Sequence, residues 1–266
     1  MPSVFIAIAV GVLTFSFGMF GLYLRRLLPE KHMSTGSEKM IGAIMGLVSL
    51  LLALVLGILV GSAYGFFTTQ KANIETLCAR SLELDLAFRQ YGGETQPLRD
   101  MLRASMTGAR EAIWGTGATY RQQFDVAAYM SRFEKWNEMI ASLNPRTPAQ
   151  TQLLSSMIAS SSAYQQTRMS TSLQLASPFS RPLLLIVVSW AMLLFCGFGV
   201  LSGLNPTSAV ALALGSFAIA SAIFLILELS QPYTGLLRIP SGSMDQTLAA
   251  LASAPTEARI AATPAH

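Results

Sequence analysis

The chain has 266 residues, of which 52% are hydrophobic and only 12% are charged, and its mean hydropathy is +0.48. A soluble domain carries about 25% charged residues, so this composition is typical of a membrane-embedded protein. The net charge of +4 is small, and no basic stripe alternates with aromatic residues, which excludes a nucleic-acid partner. Two cysteines, Cys78 and Cys196, lie in very different surroundings and indicate no disulfide framework.

Four uncharged runs are long enough to cross a hydrocarbon layer about 30 Å thick, which takes about 20 helical residues. They cover residues 4–24, 40–67, 183–203 and 207–227. The predicted fold class is therefore all-α, with four transmembrane helices and a helical extramembrane insert between the second and third. The expected divisions in chain order are two spans at 1–68, the extramembrane domain at 69–181, a transmembrane hairpin with its exit segment at 182–252, and a disordered tail at 253–266.

The first run ends directly in Arg25 and Arg26, and no basic residue precedes it. Basic flanks stay on the cytoplasmic side, so the first link is predicted to lie inside. Because spans alternate, the insert and the C-terminus are predicted to lie outside the plasma (bacterial inner) membrane. Cys78, in the insert, is the position at which a membrane-impermeant thiol reagent would test this orientation.

The second run is about 42 Å long as a helix, which is more than a bilayer requires. Neither Pro nor Gly interrupts the chain between Gly65 and Gly92, so we expect one continuous helix that enters the insert, with Ser37 as its N-terminal cap. Beyond the membrane, apolar residues at helical spacing predict a buried stripe. They are Ile74, Leu77, Cys78, Leu82 and Leu86.

The insert reads as helices over 96–114, about 125–143, and 148 to about 176, and a short amphipathic piece is expected at 244–251. The segment 71–181 holds 12 of the 18 basic and 9 of the 14 acidic residues, which is typical of a surface that faces water. The third and fourth spans are joined by only four residues, 203–206, so we expect an antiparallel hairpin.

Small residues recur at every fourth position of the second span and share one ridge of the helix. The ridge consists of Ser49, Ala53, Gly57, Gly61 and Gly65. Small side chains let another helix approach closely, which favours a helix-packing seam. The same ridge would also suit a pore-facing stripe in a ring of subunits. The pattern alone does not separate the two interpretations.

The predicted spans contain few ionisable residues. The first acidic residue in the last span is Glu228, at its exit, where we expect it to pair with a cation. Coupled transporters usually carry ionisable groups within their spans, so a passive channel is favoured over coupled transport. The two histidines, His32 and His266, lie in a link and at the end of the chain, and no phosphate loop or nucleophile elbow is present. We predict no enzyme activity, no cofactor and no metal site.

Three segments resemble the bestrophin-like family of bacterial membrane proteins, long catalogued as a domain of unknown function. They are LRRLLPE at 24–30, LALVLGILV at 52–60 and FLILELSQPYTG at 224–235. The motif positions are Arg25, Arg26, Pro29, Glu228, Pro232, Tyr233 and Gly235. The family's usual exit has an acidic residue, a basic residue and Pro-Phe. Here Ser230 and Gln231 stand at the charged positions and Tyr233 replaces Phe, so a charge pair of the family is not expected.

The more distant similarity to bestrophins implies a pentameric anion channel whose second span lines the pore. Bestrophins keep their large helical part in the cytosol, which conflicts with the charge-based orientation. Two hypotheses follow: a homo-oligomeric channel for small permeant ions in the lipid bilayer, or a non-conducting scaffold or envelope sensor whose insert binds a partner. A lipid-facing enzyme is a weaker third hypothesis, because no residue in the sequence indicates a particular reaction.

Overall fold

The computed structural model describes residues 2–27, 35–115, 126–176, 181–202, 205–233 and 235–253. Within these ranges the regular structure is helical, which confirms the predicted all-α class. The helices are α1 (Pro2–Leu27), α2 (Thr35–Tyr91), α3 (Gln96–Trp114), α4 (Val126–Ala141), α5 (Pro148–Ala176), α6 (Arg181–Leu201), α7 (Pro206–Leu229) and α8 (Gly242–Ala252). Pro29 and the tail at 254–266 lie outside the described residues.

Four helices, α1, α2, α6 and α7, are long and apolar enough to cross a membrane. The continuous second helix is confirmed, since α2 runs unbroken to Tyr91 and Gly92 follows with a φ of 128°. A side chain rarely adopts this backbone conformation, whereas glycine does so readily. The prediction of Ser37 as the N-terminal cap is wrong, because α2 already begins at Thr35 and Ser37 lies inside its first turn.

The chain forms two compact units. The first consists of Met1–Thr68 and Pro178–Arg238, and the second of Thr69–Ser177 and Ile239–His266. The first unit contains α1, α6, α7 and the apolar half of α2. The second contains the polar half of α2 together with α3, α4, α5 and α8.

The core of the first unit is built from all four of its helices. It contains Val10 of α1, Leu52, Leu59 and Ala63 of α2, Val187, Val188, Ala191 and Leu194 of α6, and Ile223, Ile226, Leu227 and Leu229 of α7. α1 lies closely against both α6 and α7. Since lipid is as apolar as these side chains, close packing rather than the hydrophobic effect holds such helices together.

Glycines provide the closest approach between α1 and α6. A Cβ on Gly21 would collide with the carbonyl oxygen of Cys196 and lie 2.9 Å from its carbonyl carbon. A Cβ on Gly199 would collide with the carbonyl oxygen of Gly18 and lie 2.8 Å from the amide nitrogen of Leu22. The helix-packing seam of this unit is therefore formed by glycines of α1 and α6.

The core of the second unit is centred on aromatic rings. Trp136 of α4 lies between Phe88 and Tyr164, at ring-centroid distances of 6.0 and 6.3 Å. Its indole nitrogen donates a hydrogen bond of 2.6 Å to Ser161, and the Tyr164 hydroxyl lies 3.0 Å from that of Ser105. These contacts place Trp136 in the core of the second unit.

The predicted stripe on α2 is correct only in its first half. Ile74, Leu77 and Cys78 are buried, whereas Leu82 is partly exposed and Leu86 is 55% exposed. The core instead takes up Leu84 and Phe88. A step of four residues overshoots the helical turn by about 40°, so the row from Cys78 to Leu86 rotates out of the core.

A buried carboxylate lies in the same unit. Asp85 accepts hydrogen bonds from the Nε atoms of Arg89, at 2.6 Å, and Arg99, at 2.8 Å. Both arginines are largely covered. The burial of an ionised carboxylate is offset by these two charge-assisted hydrogen bonds.

α8 packs against α3 in the second unit. Arg110 of α3 forms an ion pair with Asp245, Arg103 donates to the carbonyl of Leu251, and the indole of Trp114 donates to the carbonyl of Ile239. From sequence we grouped this segment with the transmembrane hairpin, as part of 182–252. These contacts place it with the insert helices instead. The sequence could not show this, since the order of helices along the chain does not determine which surface a terminal helix packs against.

Candidate functional site: the open face of α2 and the exit turn of α7

The apolar half of α2 has one covered side and one uncovered side. Leu52, Leu59 and Ala63 point into the core of the first unit, whereas the opposite side is exposed. We call this side the open face. Its large members are Leu47, Leu50, Leu51, Leu54 and Ile58. Of the four spans, α2 has the smallest buried share in its most apolar window, 17%, compared with 22–33% in the others.

The small-residue ridge lies along the open face for most of its length. Ser49 is half-buried and donates a hydrogen bond of 2.8 Å to the carbonyl of Met45, while Ala53 is exposed. A Cβ built on Gly57, Gly61 or Gly65 would meet no described atom within 4 Å. The described part of this chain therefore contributes nothing that packs on the glycine part of the ridge. This part of the ridge is therefore open to contact with a second copy of the chain or to a pore lumen.

The open face carries no charge. The side chains between Lys39 and Lys71 are uncharged, and the hydroxyl of Thr68 bonds back to the carbonyls of Tyr64 and Gly65. Such a surface offers apolar walls and few free polar groups. If water reaches it, it resembles the apolar constrictions that gate ion pores by dewetting.

Arg25, one of the motif positions, joins three helices of the first unit. Its guanidinium donates to the carbonyls of Val200 and Leu201, at 2.9 and 3.1 Å, and lies 3.5 Å from the carboxylate of Glu38. The last carbonyls of a helix lack intrahelical partners and carry partial negative charge. Arg25 therefore caps α6 and also contacts the start of α2, whereas Arg26 is exposed.

Glu228 is buried at the end of α7, with 2% of its surface exposed. Its carboxylate accepts hydrogen bonds from the hydroxyl of Ser3 and from the amides of Leu236 and, at 3.3 Å, Leu237. These hydrogen-bond partners are neutral donors from α1 and from the segment after α7, whereas the sequence led us to expect a pairing with a cation. Carboxylates bind backbone amides strongly in a buried site.

The motif after α7 folds around this carboxylate, and we call the segment 228–237 the exit turn. Pro232 is buried and Tyr233 half-buried. A Cβ on Gly235 would collide with the Glu228 carboxylate and lie 2.9 Å from its carboxyl carbon. Glycine at this position permits the close approach without displacing the carboxylate, which connects Glu228 and Gly235 within one motif.

The predicted site residues fall into separate groups. Glu228, Pro232, Tyr233 and Gly235 come together in the exit turn, while Arg25 lies at the opposite end of α1, about 33 Å along that helix from Ser3. The ridge on α2 forms a third group. Sequence reasoning missed Ser3 and the amides of Leu236 and Leu237, since no local pattern marks a hydroxyl 225 positions away as a partner.

The architecture defines a four-span, all-α membrane protein with a helical extramembrane unit inserted between the second and third spans. The model of the bestrophin-like domain matches residues 12–244, and the chain belongs to the bestrophin-like family. This confirms the resemblance that the three motifs indicated. The search of curated proteins returns no match.

Solved structures of bacterial relatives share the fold. One mutant form of a bestrophin homolog from Klebsiella pneumoniae is 15% identical to this chain, with a TM-score of 0.63. A second mutant form of that homolog is 14% identical, with a TM-score of 0.63. A structure described as a membrane protein is 14% identical, with a TM-score of 0.64. Each match covers 92% of this chain and 97% of the other.

Proposed function

We propose that this protein is one subunit of a homo-oligomeric membrane channel that conducts small ions passively. The observation that carries the proposal is the open face of α2, which is uncharged, contains a row of glycines and is the least covered of the four spans. Membership in the bestrophin-like family and the shared fold of bacterial bestrophin homologs support it. By the same resemblance the assembly is a pentamer that prefers anions. We propose no catalytic role.

The pore proposal is tested by flux in liposomes, with a matched pair of substitutions. Leu54 on the open face is 61% exposed and Leu214 on α7 is 66% exposed. Leu54→Ser is expected to raise halide flux, because a hydroxyl wets an apolar constriction. Leu214→Ser, on a different span, is expected to leave the flux unchanged. Absence of any halide or small-cation flux from the wild-type protein, across voltages and pH values, would exclude the channel.

Orientation in the membrane is a separate proposal. The basic pair at the end of α1 supports an outside location for the insert in the bacterial inner membrane. Cys78 is a poor reporter because it is only 5% exposed and lies against α8. Ser155→Cys places a thiol on the exposed surface of α5 instead. Labelling of intact cells by an impermeant reagent at this position supports the outside location, and protection until lysis supports the cytosolic one.

The second candidate function is a non-conducting scaffold or sensor. It is favoured by apolar side chains on the surface of the second unit, including Leu86 and Ile158, each more than half exposed. In a water-facing unit such residues indicate a binding surface when they form a patch. Cross-linking in cells through a photoreactive residue at Leu86 distinguishes the cases. A stoichiometric partner other than the chain itself, together with absent flux, would favour the scaffold.

A further inference from the structure

A groove runs along the surface of the membrane unit between α1 and α7, with a volume of about 680 Å³. Its lining residues recur at three- and four-residue steps on both helices, and none of them is charged. Small residues, such as Gly11 and Ala220, bring the two helices together at the base, where a Cβ on Gly11 would lie 3.1 Å from that of Ala220. Phe15, Phe217 and Phe224 contribute the bulk of the aromatic lining.

The length of the groove corresponds to one leaflet of a bilayer. From Val4 to Phe15 the lining of α1 spans eleven helical steps, about 16 Å, which is half of the roughly 30 Å hydrocarbon core. The end near Val4 is where α1 begins and α7 terminates, and Leu236 of the exit turn lines it. The other end, near Phe15, lies at the middle of α1.

The outer end of the groove is close to a cation. Arg238 is exposed and follows Leu236 by two positions, so the two Cα atoms are at most about 7 Å apart. Leu236 and Leu237 are exposed apolar residues just before this arginine. Apolar side chains followed by an arginine suit the boundary between acyl chains and headgroups, and a guanidinium binds phosphate through two parallel hydrogen bonds.

We infer that this groove holds one acyl chain of a membrane phospholipid, whose phosphate headgroup is bound by Arg238. The uncharged lining matches the chain, its length matches one leaflet, and the positive charge at its outer end matches the phosphate. Within a bilayer the hydrophobic effect does not favour a groove over bulk lipid, so the close fit and the headgroup contact provide the selectivity. The site belongs to α1 and α7 rather than to the open face of α2, so its occupancy can be tested separately from conduction.

A hydroxyl at the base of the groove makes the assignment of an acyl chain testable. Ser216 is 3% exposed, lines the groove, and its oxygen has no hydrogen-bond partner among the described residues. An acyl chain offers no acceptor at this depth. Ser216→Ala is therefore expected to leave lipid retention unchanged.

The test is native mass spectrometry of the full-length protein purified in mild detergent, in which retained phospholipid is counted per subunit. Ala213→Phe and Ser221→Phe each place a ring in the groove at an exposed lining position. Ala218→Phe is the matched control, since it adds the same ring at an exposed position of α7 outside the lining. The wild type and the Ala218 variant are expected to retain phospholipid that both groove variants lose.

Variants of the outer end separate the headgroup from the chain. Arg238→Gln is expected to lose most of the retained lipid, whereas Arg238→Lys, which keeps the charge, is expected to retain it in part. Equal retention by the Ala213 and Ala218 variants, or complete stripping of lipid from the wild type, would overturn the proposal. So would loss of the ligand on Ser216→Ala, which would indicate an occupant with a hydrogen-bond acceptor. Dissociation of the oligomer by Ala213→Phe alone would show that a second copy covers the groove instead.

Discussion

Glu228 and Gly235 are in direct contact in the exit turn: the carboxylate of Glu228 occupies the space that a side chain on Gly235 would need. The same carboxylate accepts the amides of the next two residues, Leu236 and Leu237, and the hydroxyl of Ser3. The exit turn, the end of α7 and the start of α1 therefore depend on one buried group.

Replacement of Gly235 by alanine is expected to displace this carboxylate and weaken its hydrogen bonds. The loss of a buried, charge-assisted hydrogen bond costs about 1–3 kcal/mol, so Gly235→Ala should lower the midpoint of thermal unfolding in detergent. Gly242→Ala is the control, because a Cβ on Gly242 would meet nothing within 4 Å. Equal midpoints for the two variants would contradict the role of Gly235.

Two glycines that look alike in the sequence are expected to respond in opposite ways. Gly21→Ala places a methyl group against the backbone of Cys196 and should prevent the normal packing of α1 on α6. Gly61→Ala meets open space in the protomer and should stabilise α2 by about 0.5–1 kcal/mol, since alanine is the better helix former. Thermal unfolding measures the loss of stability in Gly21→Ala and the gain in protomer stability in Gly61→Ala.

The oligomeric state adds a further readout for the same pair. If the ridge faces another copy of the chain at close range, Gly61→Ala weakens the assembly without harming the protomer. If it faces a lumen, the assembly is unchanged. A destabilised protomer in the Gly61 variant would contradict the open face described here.

Asp85 is expected to be the most sensitive charged residue of the second unit. Asp85→Asn leaves the largely covered guanidinium groups of Arg89 and Arg99 without their counter-ion, and removal of one partner of a buried ion pair costs about 3–5 kcal/mol. Glu94→Gln is the control, because Glu94 and Arg146 are both well exposed and 3.5 Å apart. Exposed pairs contribute about 0–1 kcal/mol. Chemical denaturation with tryptophan fluorescence compares the two variants.

The attachment of α8 is expected to weaken in acid. Hydrogen bonds from Arg110 and from Ser241 hold the pKa of Asp245 below its usual value. A carboxyl group with a lowered folded-state pKa stabilises the fold above its unfolded pKa of about 3.9, and this contribution disappears as the pH falls through the folded-state value. Wild type should therefore be more stable than Asp245→Asn at pH 7.

The two proteins are expected to converge in stability as the solution is acidified below pH 3.9 and through the folded-state pKa. Unfolding free energies at several pH values, in the same detergent, measure this difference. A stability gap between wild type and Asp245→Asn that is independent of pH would show that the carboxylate charge has no part in holding α8.

Local signals predicted the helices of this chain well. The boundaries of α3 and α5 agree with the sequence, because proline near each start and glycine after Trp114 restrict where the backbone can be helical. α2 ends at Tyr91, directly before Gly92, the residue at which the stretch free of Pro and Gly also ends. Ser37 failed as a predicted start, because a residue that can cap a helix can also lie inside its first turn.

The partners of these helices could not be predicted in the same way. Spacing shows which residues share a side of a helix, but not what covers that side. The ridge from Ser49 to Gly65 has the spacing of a packing seam, yet the close contacts within the chain are made by Gly21 and Gly199 instead. Likewise, Ser3 lies far in sequence from Glu228, and the surface of α3 that receives α8 lies far in sequence from α8, so no local pattern indicates either contact.

The obstacle that Gly21 and Gly199 would each meet is main chain rather than side chain. A smaller neighbour can relieve a clash between side chains, but no replacement removes a carbonyl group. Second-site suppressors of a larger residue at either position should therefore be absent from the facing helix, and selection for them should return true revertants to glycine. In evolutionary terms, we expect the two glycine positions at the crossing of α1 and α6 to stay fixed and not to covary with residues on the facing helix.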